Sequence, residues 1–235
     1  MSDRRPRYDA ADQARNAQNP KSLSRIAVLI SGNGSNLQAM IDQPPGQIVG
    51  VLSNRPHAYG LTRANQAHIP AAVVDHRAFA TREAFDTALD AELQAWQADY
   101  VILAGFMRVL TAAFVERWAG RMLNIHPSLL PKYRGLHTHA RALAAGDTHH
   151  GSTVHFVTSE LDGGPAVLQA QVAILPGDSA DALADRVQVR EHEIYPRVAA
   201  WLCQGRLRLA DGRPELDGAV LDSPVVLAPD QDCPL

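Results

Sequence analysis

The chain is poor in cysteine, and this excludes two classes of protein. Only Cys203 and Cys233 occur among its 235 residues, so we expect neither a disulfide-stapled scaffold nor a cysteine-rich zinc module. A chain of this length buries roughly 70% of the surface of its unfolded form and needs no such staple. The low cysteine content is typical of a reducing compartment, and we expect a cytoplasmic location.

The sequence also lacks long apolar runs and concentrated basic stretches. No run approaches the roughly 20 apolar residues of a membrane span, and residues 1–24 contain no hydrophobic segment typical of a secretory signal. The net charge of -3 comes from the two ends, because residues 1–24 sum to +2, residues 209–235 sum to -5, and residues 25–208 hold 16 charges of each sign. A neutral body with no basic stretch predicts no nucleic-acid partner, and the lack of a span predicts no membrane partner. A homodimer is left open.

Between the two polar ends, short apolar segments alternate with amphipathic ones. The pattern predicts strands at 25–30, 48–52, 71–74, 100–103 and 121–125, with helices at 36–42, 58–67, 82–96 and 111–118. Strands that are apolar throughout and alternate with helices indicate a parallel sheet covered on both faces. We therefore predict an α/β fold with an open, mostly parallel twisted sheet and helices on both faces.

The pattern changes after residue 125. Residues 152–157 and 166–174 alternate in period two around a turn at 162–165, which predicts an antiparallel edge hairpin near the C-terminal part, and residues 178–202 predict a long helix. The predicted organisation is a disordered polar N-terminal tail (1–24), one folded domain (25–208) and an acidic, proline-containing C-terminal tail of low order (209–235).

The loop at residues 31–36 (SGNGSN), called the Gly34 loop below, has the composition of an anion site. In open α/β sheets, ligands bind beyond the carboxyl ends of the strands. Glycines allow close backbone approach, and the helix that follows presents unpaired N–H groups. Leu37 replaces the third glycine of a dinucleotide fingerprint, and no P-loop lysine follows. The loop is either a phosphate cradle or a tight turn capped by Ser35.

Two further strand ends carry polar or glycine-rich sequence. Residues 105–110 (GFMRVL) form either the wall of a pocket for a flat ligand or an ordinary buried connector. Asn124 and His126 stand two residues apart at the end of the fifth strand, so their side chains project from the same face. An amide donor beside an acid–base group suits acyl chemistry, because one polarises a carbonyl and the other transfers protons.

Six of the ten histidines lie between residues 126 and 155. A zinc site is the rival interpretation, but no HExxH motif or cysteine partner accompanies them, and we expect no metal. His149 and His150 are expected on an exposed turn, and His155 as a hydrogen-bonded structural histidine within a strand. Asp162 either orients a catalytic histidine or only forms the hairpin turn.

Five motifs together resemble the folate-dependent phosphoribosylglycinamide formyltransferase family of purine biosynthesis. They are SGNGSNLQA (31–39), LAGFMRVL (103–110), NIHPSLLPKYRGLHTH (124–139), HFVTSELDGGP (155–165) and EHEIYP (191–196). The resemblance covers about residues 25–208 and implies that this segment is a formyltransferase catalytic domain with a Rossmann-like fold. Arg134 occupies a place where members vary, and both tails lie outside the match.

The resemblance implies transfer of a formyl group from the co-substrate 10-formyltetrahydrofolate to the amine of glycinamide ribotide. The Asn–His–Asp trio of the family falls on Asn124, His126 and Asp162, where the amide and a protonated imidazole stabilise an oxyanion and the carboxylate favours the imidazolium. The implied ligand contacts fall into two groups: Gly34, Ser35, Asn36, Leu37, Gln38 and Glu191 for the ribotide, and Arg82, Met107, Arg108, Val109, Leu110 and Asn124 for the folate. His137 matches a histidine that supports the site without reacting.

Three alternatives differ from this interpretation in ways that the sequence addresses. Methionyl-tRNA formyltransferases add a basic C-terminal domain, whereas residues 209–235 are acidic. Formyltetrahydrofolate deformylases add an N-terminal regulatory domain, which 24 polar residues cannot form, and their water nucleophile needs no phosphate loop. A non-catalytic metabolite sensor could keep the fold, but the intact trio argues against it.

Overall fold

The computed structural model describes residues 23–233, and its centre is an eight-stranded sheet. In chain order the elements are β1 (Arg25–Ile30), α1 (Ser35–Asp42), β2 (Gln47–Ser53), α2 (Tyr59–Gln66), β3 (Ala71–Val73), α3 (Arg82–Ala95), β4 (Tyr100–Leu103), α4 (Ala112–Arg117), β5 (Met122–His126), α5 (Thr138–Ala144), β6 (His149–Phe156), β7 (Ala166–Ala173), α6 (Ala180–Cys203), β8 (Leu207–Ala210), β9 (Arg213–Leu216), β10 (Ala219–Val220) and β11 (Val225–Leu227). The order across the main sheet is β11-β7-β6-β5-β4-β1-β2-β3. Within residues 23–233, no helix is both long and apolar enough to cross a membrane.

Strand β1 shows why the centre of the sheet is apolar on both faces. Ile26, Val28 and Ile30 point to one face, where they pack with residues of α1, α2 and α6. Ala27 and Leu29 point to the other face and pack with residues of α3 and α4. All five side chains are fully buried, and burial of a side chain the size of leucine stabilises the fold by about 1.5–3 kcal/mol. Alternation of faces therefore places helices on both sides of the sheet.

One strand, β6, runs opposite to the seven others in the eight-stranded sheet. Strands β3, β2, β1, β4 and β5 are parallel, whereas β6 pairs antiparallel with both β5 and β7. The predicted α/β fold and its antiparallel hairpin are confirmed. The hairpin is not the outermost element, however, because residues 225–227 of β11 pair in parallel with residues 168–170 of β7.

We expect low order in the C-terminal tail, and this is wrong for residues 209–227, which include parts or all of four strands. Strands β8, β9 and β10 form a small antiparallel sheet, so the predicted boundary at 208 falls within a strand. Its strands have only two to four residues and are joined at Asp211-Gly212 and Asp217-Gly218, all with positive φ. Such short strands show little periodicity in sequence. Most of the predicted N-terminal tail, residues 1–22, lies outside the described residues, and the division into domain and tails stays a prediction.

Helix α6 follows β7 and runs from the end of the β6–β7 hairpin towards α1. It begins at its N-cap Ser179, whose side chain accepts a hydrogen bond from the Ala182 N–H. The helix runs for 24 residues, so at 1.5 Å per residue it spans about 36 Å. It packs against β7, β6 and α1. This path carries Gln188 and Glu191 from the hairpin side to the start of α1.

Candidate active site

The structure brings His126 and Asp162 together at the carboxyl end of β5. The His126 side chain is almost fully buried, and its Nδ1 atom lies 3.4 Å from Asp162 Oδ2, which is an ion-pair contact. Its other nitrogen, Nε2, donates to the Tyr133 carbonyl at 3.0 Å. Both ring nitrogens therefore face oxygen acceptors, and this surrounding suits an imidazole that carries two protons. Asn124 lies two residues earlier on the same strand.

Contacts with the loop that follows β5 hold the turn that carries Asp162. The Asp162 backbone has a φ of 48°, and its carboxylate accepts a hydrogen bond from the Gly135 N–H at 2.9 Å. Glu160, in the same turn, forms an ion pair with Arg134. A Cβ atom at position 163 would collide with the Glu160 side chain. The carboxylate of Asp162 is thus positioned by the loop that follows β5 as well as by its own turn.

His155 orients the side chain of Asn124, a role that the sequence did not reveal. The two residues are register partners across the β5–β6 pair, and Asn124 Nδ2 donates to His155 Nε2 at 3.1 Å. His155 Nδ1 donates to the Phe156 carbonyl at 2.9 Å, which leaves Nε2 as an acceptor. Burial lowers the pKa of His155 and favours this neutral form. The second amide hydrogen of Asn124 stays available for a ligand.

The Gly34 loop ends in a helix start that no side chain caps. Gly34 is the N-cap of α1, with a φ of 75° and no capping hydrogen bond. The alternative of a turn capped by Ser35 is wrong, because Ser35 is the first helical residue and its Oγ accepts from Gln188 Nε2 at 3.1 Å. Gln188 is a further candidate residue that sequence reasoning missed. The first-turn N–H groups of α1 therefore have no side-chain acceptor and can hold an anion.

Beside this helix start, a buried carboxyl faces a buried amide. Glu191 of α6 is 7% exposed, and its Oε2 accepts from Asn36 Nδ2 at 2.9 Å. Burial raises the pKa of Glu191 to about 7, although the Asn36 hydrogen bond acts in the opposite direction. Asn36 Oδ1 is also buried and has no partner among residues 23–233. Two polar groups are thus left to interact with a ligand.

The two other ribotide candidates on α1 are constrained by their surroundings. Leu37 is fully buried in the core, so only its backbone can contact a ligand. The Gln38 side chain accepts from Arg63 at 3.1 Å and donates to Asp42 at 2.9 Å. A direct contact of Gln38 with the ribotide is therefore best made by its backbone as well.

Residues 105–110 lie open to solvent and are not a buried connector. Met107 and Val109 are 57% and 48% exposed, which leaves apolar side chains on the surface beside the site, and Leu110 is half-buried. The Met107 N–H donates to Ser31 Oγ at 2.8 Å and ties this segment to the Gly34 loop. Arg108 stacks over the ring of Phe85 at 5.5 Å. The pocket-wall interpretation is the one that this geometry favours.

Arg82 and the remaining histidines lie around this centre. Arg82 is the exposed first residue of α3, and His137 is exposed at the N-cap of α5 with a φ of 59°. His149 is exposed as expected, but the expectation for His150 is wrong. His150 is 1% exposed and packs edge-on against His139, because β6 begins earlier than predicted. Burial lowers the pKa of His150 to about 4. Within residues 23–233, no group of three or more His, Cys, Asp or Glu side chains is arranged to hold a metal ion.

Comparison with known proteins gives the family of this chain. The family model for formyl transferases matches residues 24–199. The chain belongs to the formyl transferase family. This formyl transferase is 54% identical over 198 residues to the phosphoribosylglycinamide formyltransferase of Escherichia coli K12, a match that covers 82% of the chain and 93% of the relative. It is 50% identical over 204 residues to the enzyme of the same name from Haemophilus influenzae, with 85% and 96% covered.

Solved structures similar to this formyl transferase carry corresponding names. The phosphoribosylglycinamide formyltransferase of Coxiella burnetii superposes with a TM-score of 0.83 at 48% identity and covers 87% of this chain and 99% of its own. Glycinamide ribonucleotide transformylase 1 of Symbiobacterium toebii superposes with a TM-score of 0.81 at 43% identity, with 84% and 95% covered. The formyl transferase fold thus includes the sheet edge at which the candidate site lies.

Proposed function

We propose that this formyl transferase transfers the formyl group of 10-formyltetrahydrofolate to the amine of N1-(5-phosphoribosyl)glycinamide. The products are formylglycinamide ribotide and tetrahydrofolate, in the de novo synthesis of purines, and the proposed location is the cytoplasm. One observation carries the proposal: the His126–Asp162 pair lies at the same sheet edge as the uncapped start of α1. An acid–base pair beside an anion site suits a phosphorylated substrate.

The ribotide is expected to bind with its phosphate at the start of α1. Backbone N–H groups from Gly34 to Leu37 would hold the phosphate oxygens, helped by the positive end of the helix dipole. Asn36 Oδ1 and the Glu191 carboxyl then accept hydrogen bonds from hydroxyl groups of the ribose. This arrangement satisfies the Asn36 oxygen, which otherwise has no partner among the described residues.

The folate is expected to lie along residues 107–110. Met107 and Val109 offer an apolar wall to its flat ring system, and Arg82 offers a guanidinium to its glutamate carboxylates. Arg108 stacks on Phe85, so its contribution to the site is mainly through its backbone. Asn124 reaches the formyl oxygen from β5.

The trio supplies the chemistry of direct transfer. The ribotide amine attacks the formyl carbon, so that a new C–N bond forms and the carbonyl oxygen becomes an oxyanion. The free amide hydrogen of Asn124 donates to that oxyanion, and the positive charge of the His126 imidazolium, which Asp162 balances, stabilises it electrostatically. The bond to the folate nitrogen N10 then breaks, N10 gains a proton, and the former amine loses one. Each oxyanion donor contributes about 10²–10³-fold to turnover.

An absorbance assay with purified protein tests this function. We expect tetrahydrofolate to form from 10-formyltetrahydrofolate only when glycinamide ribotide is present. Release of formate without the ribotide would contradict the proposal and indicate a deformylase. A complete lack of turnover, with ligand binding intact, would indicate a sensor.

A further inference from the structure

The segment at residues 105–110 connects β4 to the N-cap of α4. Within residues 23–233, no hydrogen bond between two backbone groups involves any residue of this segment. Phe106 and Leu110 pack against the core, but apolar contacts are not directional and do not fix where N–H and C=O groups point. The orientation of these peptide groups therefore depends on bonds to side chains outside the segment.

The first such bond comes from Ser31, which follows β1 and opens the Gly34 loop. Its Oγ accepts from the Met107 N–H at 2.8 Å and donates its own proton to Asn54 Oδ1 at 2.6 Å. Asn54 follows β2, and both side chains are buried. A hydroxyl that accepts and donates at once strengthens both bonds. Because β4, β1 and β2 are neighbours in the sheet, residues beyond three adjacent strand ends together hold the Met107 N–H.

The second bond comes from Asp86 of α3. Its Oδ2 accepts from the Thr111 N–H at 2.7 Å, immediately after the segment. Thr111 is also the N-cap of α4, so this bond fixes the point at which the segment becomes helix. Asp86 is buried, and its Oδ1 has no hydrogen-bond partner among residues 23–233. A carboxyl group is costly to bury, so the bond to Thr111 is what favours an aspartate here.

We propose that Ser31 and Asp86 are positioning residues for the co-substrate, because they set the orientation of the peptide groups of residues 108–110. The inference rests on the proposed function, since it takes the folate as the ligand of this segment. Only three residues lie between Met107 and Thr111, and both ends are held. The free N–H and C=O groups thus keep one arrangement before the folate binds, and such order lowers the entropic cost of binding.

Steady-state kinetics of Ser31→Ala with both substrates test the first bond. The variant leaves the Met107 N–H without its acceptor. We expect KM for 10-formyltetrahydrofolate to rise about 3–10-fold, which is the effect of losing one hydrogen bond of ordinary strength. KM for the ribotide and kcat should stay nearly constant, because the proposed phosphate contacts begin at Gly34 and the reacting groups lie at the end of β5. A purely structural role would not affect one substrate alone.

Two substitutions of Asp86 test the second bond. Asp86→Ala removes the acceptor of the Thr111 N–H and should raise KM for the folate by about 3–10-fold. Asp86→Asn keeps an oxygen that can accept this hydrogen bond and should keep most of the native affinity. Rescue by asparagine would show that the hydrogen bond, and not the charge of the carboxyl group, positions the segment.

Ser24→Ala is the matched control, because Ser24 lies at the other end of β1. Its Oγ donates to the Cys203 carbonyl at 2.8 Å, so its substitution also removes one hydrogen bond of a serine beside this strand. Urea unfolding should show that Ser24→Ala lowers stability, whereas KM for the folate and KM for the ribotide should both stay at their native values.

Three outcomes would overturn the inference. They are an unchanged KM for the folate in Ser31→Ala, an equal rise of both KM values in that variant, and equal KM values for the folate in Asp86→Asn and Asp86→Ala. Lack of ribotide-dependent transfer by the unaltered chain would instead contradict the proposed function. Equilibrium titration with 10-formyltetrahydrofolate needs no turnover, and it would then still decide the inference, since Ser31→Ala must weaken binding more than Ser24→Ala does.

Discussion

Replacement of Glu191 by glutamine tests the electrostatics of the site through the stability of the fold. The carboxyl is buried, and burial raises its pKa from 4.5 to about 7. As the pH rises through 4.5, the unfolded chain ionises at this residue before the folded chain does, so stability falls until about pH 7 and then stays low. The difference of about 2.5 pKa units corresponds to about 3 kcal/mol. Glutamine cannot ionise and avoids this loss.

The expected gain therefore depends on pH. Glu191→Gln should stabilise the protein by about 3 kcal/mol at pH 8 and by about 1 kcal/mol at pH 5. The effect is smaller at pH 5 because this pH lies only about half a unit above the pKa of the carboxyl in the unfolded chain. The glutamine oxygen can keep the hydrogen bond from Asn36, and its NH₂ group can donate to the Asn36 oxygen that has no partner among the described residues. Urea unfolding of both proteins at the two pH values measures the difference.

Glu116→Gln is the matched control, because Glu116 is an exposed glutamate of α4 and should show no such dependence on pH. Our reasoning would be refuted by a Glu191→Gln effect of equal size at both pH values, or by a loss of stability at pH 8. The same substitution should raise KM for the ribotide, since it removes an acceptor for ribose hydroxyls. A gain in stability with a loss of binding is the usual trade-off at a functional site.

Two further predictions concern turnover and binding separately. His126→Ala and Asp162→Asn should each lower kcat by about two orders of magnitude or more, with little change in KM for either substrate. The reason is that each substitution removes an interaction made mainly in the transition state. Steady-state kinetics with a near-normal kcat would contradict the assigned roles. Gly34→Ala should raise KM for the ribotide, because its Cβ would lie 2.8 Å from Gly60 Cα and crowds the loop that approaches the phosphate. Gly146→Ala, also at positive φ but with open space around it, controls for backbone strain and should leave this KM unchanged.

The central fold was predictable because its strands carry a strong local signal. β4 and, after its first residue Arg25, β1 are apolar, and the predicted ends coincide with those observed. The start of β6 was placed three residues late, because His149 and His150 carry polar side chains, although His150 turns inward. β11 could not be predicted, because it has only three residues and pairs with β7, which lies far from it in the sequence. A segment this short does not indicate which strand it joins.

Some features of the candidate site are local in sequence, whereas others depend on contacts between distant segments. The Gly34 loop is one continuous segment, and Asn124 and His126 lie two residues apart, so the sequence itself indicated both as site candidates. The contact between Asn124 and His155 depends on the register of two antiparallel strands, which single-sequence patterns do not encode. The raised pKa of Glu191 likewise depends on a long-range contact, the packing of α6 against α1. The resemblance to a family indicated the residue, but it did not indicate that the residue is buried or that its pKa is raised.

The short strand β11 also protects the protein from other copies of itself. β7 has the sequence AVLQAQVA, with no charged residue and no proline, and its outer edge is covered by β11 only at residues 168–170. An uncharged strand with a free edge is a template on which another chain can add. Heat or a protease that detaches residues 225–227 would therefore leave the end of β5 in place and yet expose the outer edge of β7 to pairing with another chain. Loss of soluble enzyme could then precede any loss of chemistry.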